Sequence, residues 1–384
     1  MKRPFHKVIG IIGGGQLGKM LIESGMQWNI NYNVLDPDPN APCRKYANTF
    51  INAALDDKNA IEKLASISDV LTYEIEHVNT QALAKLESEK YNVIPSSSIL
   101  EIIKDKAEQK QFFVKNNLPT SDFKVVNSID DWQNSIKYFN CEKVVAKLCK
   151  GGYDGRGVQI CYKNEIENGV IPFDQPCIIE EFINDIDELA VIVASDGENI
   201  VNWSTIKMHF DPKLNLADYL FSPGNFSEEI EYTATEIAVR AVKCLNGKGV
   251  FAVEMFLTKD NQILINEIAP RPHNSGHHTI EASITSQYEQ LNRILLGLPL
   301  GNTDLISPSA MVNIIGASGF SGDYKIEGLD FALKQKGFYL HLYNKMQTRE
   351  GRKLGHFTVL EKNTDLAIAK AMEIKKKLKI VENK

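Results

Sequence analysis

Read as a pattern of apolar and polar positions, the chain opens on a short buried strand and a helix. Lys7 to Ile12 (KVIGII) is an apolar run, Gly13-Gly14-Gly15 turns the chain, and Gln16 to Trp28 carries Leu17, Met20, Leu21 and Ser24 at helical spacing. Tyr32 to Leu35 reads as a second strand ending at Asp36-Pro37, Asn59 to Ser66 as a helix and Val70 to Ile75 as another strand. Short apolar strands alternating with helices predict a parallel α/β sheet, in a unit (1–98) that closes near Pro95-Ser96-Ser97-Ser98.

The pattern then changes. Ile99 to Asn116 reads as one helix, stopping before Leu118-Pro119. From Val144 to Ile160 the order is strand, glycine loop, strand, and Cys177 to Glu181, Glu188 to Ala194 and Ile200 to Trp203 are further strands. Glu228 to Leu245 is a helix. Gly249 to Leu257 and Gln262 to Glu267 form a hairpin turned by Lys259-Asp260-Asn261. This middle block (99–302) is an α+β unit with antiparallel pairs. A small last unit (303–384) begins near Ile306-Ser307-Pro308 and carries a lysine-rich helix, Asp365 to Leu378. The fold class is therefore α/β with α+β.

Composition narrows the function classes. With 43% apolar and 24% charged residues among 384, the chain can bury a large core, so disorder is not expected. A net charge of −6 argues against nucleic-acid binding, which draws affinity from neutralising phosphates. No run approaches the ~20 apolar residues of a membrane span, so no membrane is expected as partner. The start, MKRPFHKVIG, turns from basic to apolar, but the apolar part runs straight into glycines without a cleavage site, so no leader is expected. The six cysteines contain no Cys-x-x-Cys pair; free thiols in a reducing, cytoplasmic compartment are expected.

Five segments carry candidate chemistry. Gly13 to Gly18 contains Gly-x-Gly-x-x-Gly between strand and helix, with Asp36 ending the next strand. It suits a nicotinamide cofactor, another phosphorylated ligand, or tight packing alone. Lys147 precedes Gly151-Gly152-Tyr153-Asp154-Gly155-Arg156-Gly157, a loop whose N–H groups can cover a polyphosphate; a solvated hairpin loop is the alternative. Glu180-Glu181-Phe182-Ile183 and Glu188 suit an adenosine, or are exposed acids. Glu254 and Glu267, with Asn266, lie on the predicted hairpin and offer hard oxygens of the kind magnesium takes. The donor-rich run Arg271 to His278 follows; its His277-His278 pair has no third ligand at zinc spacing. Lastly His341, Tyr343, Lys345, Arg349, Arg352, Lys353 and His356 form a phosphate-binding cluster or a solvated basic face.

Together these residues resemble the ATP-grasp superfamily, and within it the 5-(carboxyamino)imidazole ribonucleotide synthase family of purine synthesis. The resemblance is carried by IIGGGQLGKM (11–20), TYEIEHV (72–78), GGYDGRG (151–157), INEIAPRPHNSGHHT (265–279) and HLYNKMQTREGRKLGH (341–356). It implies an N-terminal Rossmann-like domain, a central ATP-grasp domain and a small C-terminal domain. It also implies a ligase that uses ATP, bicarbonate and aminoimidazole ribonucleotide with magnesium (manganese as substitute), as a homodimer. In that frame ATP would meet Lys106, Lys147, Gly152 to Val158, Glu180 to Ile183, Glu188, His209, Asn266 and Glu267; the metal would meet Glu254 and Glu267. Arg271, His273, Asn274 and Asp154 would be catalytic. Gln16, Leu17, Glu74, Asp154, Ser275, Lys345 and Arg352 would hold the nucleotide substrate. Three other readings are an NAD-dependent oxidoreductase, a non-catalytic nucleotide sensor, and a sister enzyme such as the formate-using glycinamide ribonucleotide transformylase.

Overall fold

The computed structural model describes residues 4–152, 157–184, 186–211 and 216–383. Its N-terminal part is β1 (Val8–Ile12), α1 (Gln16–Met26), β2 (Asn31–Asp36), β3 (Thr49–Asn52), α2 (Lys58–Ser66), β4 (Val70–Tyr73) and α3 (Thr80–Ser88). The strands pair in parallel in the order β3-β2-β1-β4. The parallel sheet follows the predicted pattern, with β3 and α3 added. β3 is four residues with a single buried position, too short to show a period.

The predicted helix from Ile99 to Asn116 is two helices, α4 (Ser97–Ile103) and α5 (Lys106–Lys115). The break has a local cause. The Asp105 carboxylate accepts from the backbone N–H groups of Ala107 and Glu108, which starts a new helix. The Lys106 N–H is thereby freed to reach the Cys149 carbonyl, at 2.9 Å.

A small antiparallel sheet follows, from β5 (Phe123–Val126), α6 (Ile129–Ile136), β6 (Lys143–Leu148), β7 (Val158–Tyr162), α7 (Lys163–Glu167) and β8 (Cys177–Glu181), in the order β5-β8-β6-β7. The large sheet uses β9 (Asp187–Ser195), β10 (Ile200–Asn202), β11 (Ile206–Asp211), β12 (Leu216–Ser222), α8 (Glu228–Leu245), β13 (Gly249–Leu257) and β14 (Ile263–Ala269). After α9 (Thr279–Ala282) and α10 (Gln287–Leu296), the sheet continues through β15 (Ser309–Ile315). The remaining elements are β16 (Tyr324–Glu327), α11 (Leu329–Leu333), β17 (Phe338–Leu342), β18 (Lys353–Leu360), α12 (Thr364–Lys377) and β19 (Lys379–Glu382). Among the described residues the large sheet runs β14-β13-β9-β11-β12-β15-β18-β17, so C-terminal strands extend the central sheet through the β12–β15 pair.

The two-residue period of the strands sorts the core. Leu189, Val191 and Val193 of β9 and Phe251, Val253 and Met255 of β13 pack against α8. Ala190, Ile192, Ala194, Val250 and Ala252 face the other way, toward α10 and the N-terminal sheet. Glu188 and Glu254 continue this second series, so the alternation places both acids on the face shared with the N-terminal unit.

Gly25 of α1 lets Tyr32 of β2 pass close by on its way to α10. A Cβ on Gly25 would lie 1.8 Å from the Tyr32 hydroxyl, which donates to Asn292 Oδ1 at 2.8 Å. Gly25→Ala is expected to destabilise the protein by about 1–3 kcal/mol, the usual cost of overpacking, in urea unfolding followed by fluorescence. An unchanged midpoint would show that this approach is not close packed.

Candidate active site

The site is built around two carboxylates set opposite each other. Glu254 of β13 and Glu267 of β14 are direct register partners, and the register then shifts so that Met255 faces Ile265. Asn266 is the extra residue of a β-bulge. The bulge changes the parity of β14: Ile263 and Ile265 before it, and Ile268 after it, all pack on the α8 side. Asn266 and Glu267 thus both serve the opposite face, although they are adjacent in sequence.

The surroundings answer this negative charge. The Lys106 ammonium lies 2.6 Å from Glu267 Oε2. Lys147 donates to Asn266 Oδ1 at 2.8 Å and to Glu180 Oε2 at 3.1 Å. His273 Nδ1 is 3.2 Å from Glu254 Oε1. Burial, followed by the nearby Glu267 and Glu188, pushes the Glu254 carboxyl well above the carboxylate range. Lys106 draws Glu267 the other way, below it, against the effect of burial. Burial also raises Glu188, to about 7. Two carboxylates whose affinities for protons are forced apart, with an amide oxygen alongside, are a donor set that a hard divalent cation fits.

Lys106, Lys110, Lys147, Glu180, Asn266 and Glu267 line a narrow cavity beside this pair. Glu180 is buried, whereas Glu181 is exposed and Phe182 and Ile183 are half-buried. Gly152, Gly157 and Val158 flank the glycine loop. Gly157 has a φ of +75°, and its Cα hydrogens lie over Leu148. Tyr153, Asp154, Gly155 and Arg156, predicted to hold ATP or the second substrate, lie outside the described residues. His209 of β11 follows Met208, the register partner of Glu188, and stacks on Tyr219 with centroids 4.4 Å apart.

The Gly13–Gly18 turn has a different occupant from the one its motif suggests. Glu74 follows β4, and its carboxylate accepts from the N–H groups of Gly15 and, at 2.5 Å, Gly18. A Cβ at Gly13 or Gly15 would lie 2.5 Å from the Glu74 side chain, so these glycines are a cradle for an internal carboxylate. Asp36 accepts from the Gly14 N–H at 2.6 Å. Both features remove donors and an acceptor that a dinucleotide would need, which corrects the nicotinamide reading. Gln16 and Leu17 open α1 next to this cradle. Lys345 lies within the field of Glu74, although burial lowers the proton affinity of its ammonium.

The loop after β14 joins the two regions. Arg271 pairs with Glu76 at 2.8 Å, two residues beyond Glu74. The His273 ring faces the Ser275 hydroxyl at 2.9 Å. Asn274 and Asn313 of β15 exchange side-chain amide hydrogen bonds, each 2.9 Å, which fix the loop on the C-terminal strands. The basic cluster near the C-terminus separates on folding. His341 bonds Glu281 at 2.7 Å, and buried His356 takes the Tyr343 hydroxyl at 2.7 Å, while Arg352 bonds the Gln347 carbonyl at 2.8 Å. His277 and His278 are buried too, with His277 Nδ1 facing Tyr288 Oη at 3.1 Å. Sequence reading passed over Glu76, Asn313 and Lys110. Glu76 was available in the TYEIEHV run, and Lys110 in the spacing from Lys106.

Comparison with known proteins covers nearly the whole chain. Family models described as ribonucleotide synthetase preATP-grasp domain, ATP-grasp domain and phosphoribosylaminoimidazole carboxylase C-terminal domain match residues 6–104, 111–288 and 309–370. The N5-carboxyaminoimidazole ribonucleotide synthase of Bacillus subtilis is 36% identical, over 93% of this chain and 92% of that one. The crystal structure of the synthetase from Thermotoga maritima superposes with a TM-score of 0.89 at 42% identity, covering 98% of this chain and 100% of that one. The Aspergillus clavatus synthase, in complex with ADP and 5-aminoimidazole ribonucleotide, gives 0.88 at 30% identity, covering 97% and 98%.

Burial holds the His278 imidazole neutral, its proton affinity lowered to about 4. Because the unfolded chain takes up that proton near 6.5, stability is fully present above pH 6.5 and is lost as pH falls toward 4. The expected loss is on the order of 3 kcal/mol, read by urea unfolding across this range. His278→Asn should make the profile shallower, with the likewise buried His277 and His356 supplying the remaining slope; an equally steep profile in the variant would remove His278 as a contributor.

Proposed function

The chain belongs to the N5-carboxyaminoimidazole ribonucleotide synthase family of ATP-grasp ligases, and from that premise we propose that it carboxylates 5-aminoimidazole ribonucleotide with bicarbonate at the expense of ATP. In this reaction a bicarbonate oxygen attacks the γ-phosphorus, the β–γ bridge breaks, and ADP leaves. The exocyclic amine of the ribonucleotide then attacks the carboxyl carbon of carboxyphosphate, releasing phosphate and a proton and giving the N-carboxy nucleotide.

The observation that carries the residue assignment is a series of separate charge pairs contributed by successive segments of the chain. It runs from Lys345 and Glu74, through Glu76 and Arg271, to His273, Glu254, Glu267 and Lys106. One end suits a ribonucleotide and the other a nucleoside triphosphate, with the Arg271–Ser275 loop between them. Lys106 and Lys147 would hold phosphates; Gly152, Gly157 and Val158, with loop residues Tyr153 to Arg156, would cover them. Glu180 to Ile183 would meet the base, Glu188 the ribose, and His209 the nucleotide edge. Magnesium bound by Glu254 and Glu267 beside Asn266 would neutralise charge on the phosphates.

Arg271 and His273 would orient bicarbonate and carboxyphosphate, with Asn274 and Ser275 fixing their loop. Gln16, Leu17, Glu74 and Asp154 would surround the aminoimidazole, and Lys345 and Arg352 would clamp its phosphate. Carboxyphosphate is quickly lost to water, so a covering loop and a second substrate held close by are what the chemistry requires. The homodimer, the cytoplasm and division at 98 and 302 belong to the same proposal, supported by the family resemblance and the spans of the matching family models.

Phosphate release is expected only with ATP, magnesium, bicarbonate and aminoimidazole ribonucleotide together, and not with formate in place of bicarbonate. Background release with all four would overturn the proposal. Arg352→Ala is expected to raise the KM for the ribonucleotide about tenfold or more, the scale of one charged hydrogen bond, and to leave ADP affinity unchanged. Equal loss of both would make the cluster structural.

A further inference from the structure

One buried cation beside the narrow cavity has no role in the reaction above. Lys110 lies one turn beyond Lys106 on α5 and is 2% exposed. Its ammonium donates to Thr120 Oγ1 at 2.6 Å and to Ser121 Oγ at 2.8 Å, and lies 3.4 Å from Glu180 Oε1. The two hydroxyls pass the contact on: Thr120 donates to the Ile265 carbonyl at 2.8 Å, and Ser121 to Glu180 Oε2 at 3.0 Å. Glu180 therefore sits between two ammonium groups, Lys110 and Lys147, and its Oε1 accepts no hydrogen bond.

The two lysines differ in what they can do next. Lys147 also bonds Asn266, next to the carboxylate pair. In the proposed function it turns to phosphate when ATP enters. Lys110 is held by two hydroxyls deep under the sheet and stays. Burial lowers its proton affinity to about 8, with the Glu180 charge acting against that loss.

We propose that Lys110 is a positioning residue for nucleotide selection, pairing with Glu180 and fixing it so that Oε1, which accepts no hydrogen bond within the protein, accepts from the 6-amino group of adenine and repels a 6-oxo purine. The inference rests on the proposed adenine-side role of Glu180. Without Lys110 and with Lys147 engaged by phosphate, Glu180 takes up a proton more readily. A neutral carboxyl can donate to a 6-oxo group as well as accept from a 6-amino group, so discrimination falls.

The test compares wild type, Lys110→Met, Ser121→Ala and Glu180→Gln, each checked for its melting temperature. Binding of ATP and inosine triphosphate is titrated, and KM and kcat for ATP are measured. All three variants are expected to reduce the preference for ATP over inosine triphosphate, Lys110→Met and Glu180→Gln by about tenfold. For Lys110→Met the KM for ATP should rise with kcat within about threefold of wild type, the sign of lost ground-state binding. If Glu180→Gln leaves the preference unchanged, the adenine-side reading of Glu180 falls and this inference with it. If Glu180→Gln lowers it but Lys110→Met weakens both nucleotides alike, only the positioning role falls. Should Lys110→Met fail to fold, Ser121→Ala decides: an unchanged preference overturns the role, a reduced one supports it.

Discussion

Two acidic side chains opposed across a hairpin, Glu254 buried and Glu267 partly exposed, do not both ionise readily without nearby positive charge. Glu254 and Glu267 impose that condition, and much of the site answers it. Lys106 pairs with one acid and His273 approaches the other. The break between α4 and α5 places Lys106 in the first turn of its helix. The bulge at Asn266 brings a neutral ligand to the same face and gives Lys147 an acceptor. A ligand that brings its own cation would answer the remaining negative charge of the pair.

The condition also explains how three parts of the chain meet. The loop after β14 emerges at the acids and is fixed at both ends: by Arg271 on Glu76 of the N-terminal unit and by Asn274 on Asn313 of β15. Lys19 of α1 reaches the Leu342 carbonyl at 3.1 Å, tying the glycine-turn helix to the segment that leads to Lys345. A ribonucleotide held by those segments would approach the loop from the side opposite ATP. That is the arrangement a short-lived acyl phosphate needs.

Regular elements were legible where a simple period governs them. The helix from Glu228 to Leu245 and the strand from Gly249 to Leu257 have the boundaries read from sequence, because one face of each is steadily apolar. The helix at 106–115 was legible as helix, but its separation from 97–103 by the Asp105 cap and the role of its inner face were not. Its Lys106, Gln109 and Lys110 turn inward to bond Glu267, the Ile268 backbone and Glu180, so its buried stripe is polar. The glycine turn was seen, but its occupant, Glu74, lies just past β4, 56 residues beyond Gly18, a contact no local pattern encodes. The C-terminal cluster mixed two populations, since Tyr343 and His356 are core residues and Lys345 and Arg352 are not. The carboxylate pair was legible because its hairpin was; the bulge that turns Asn266 inward was not.

The claim that the opposed acids exist to hold a cation with the nucleotide can be tested by titrating ADP calorimetrically, with and without magnesium, into wild type and Glu254→Gln. The account predicts that magnesium tightens ADP binding to wild type, while in the variant the magnesium-free affinity persists and the magnesium effect is largely lost. An undiminished magnesium effect in the variant would contradict it.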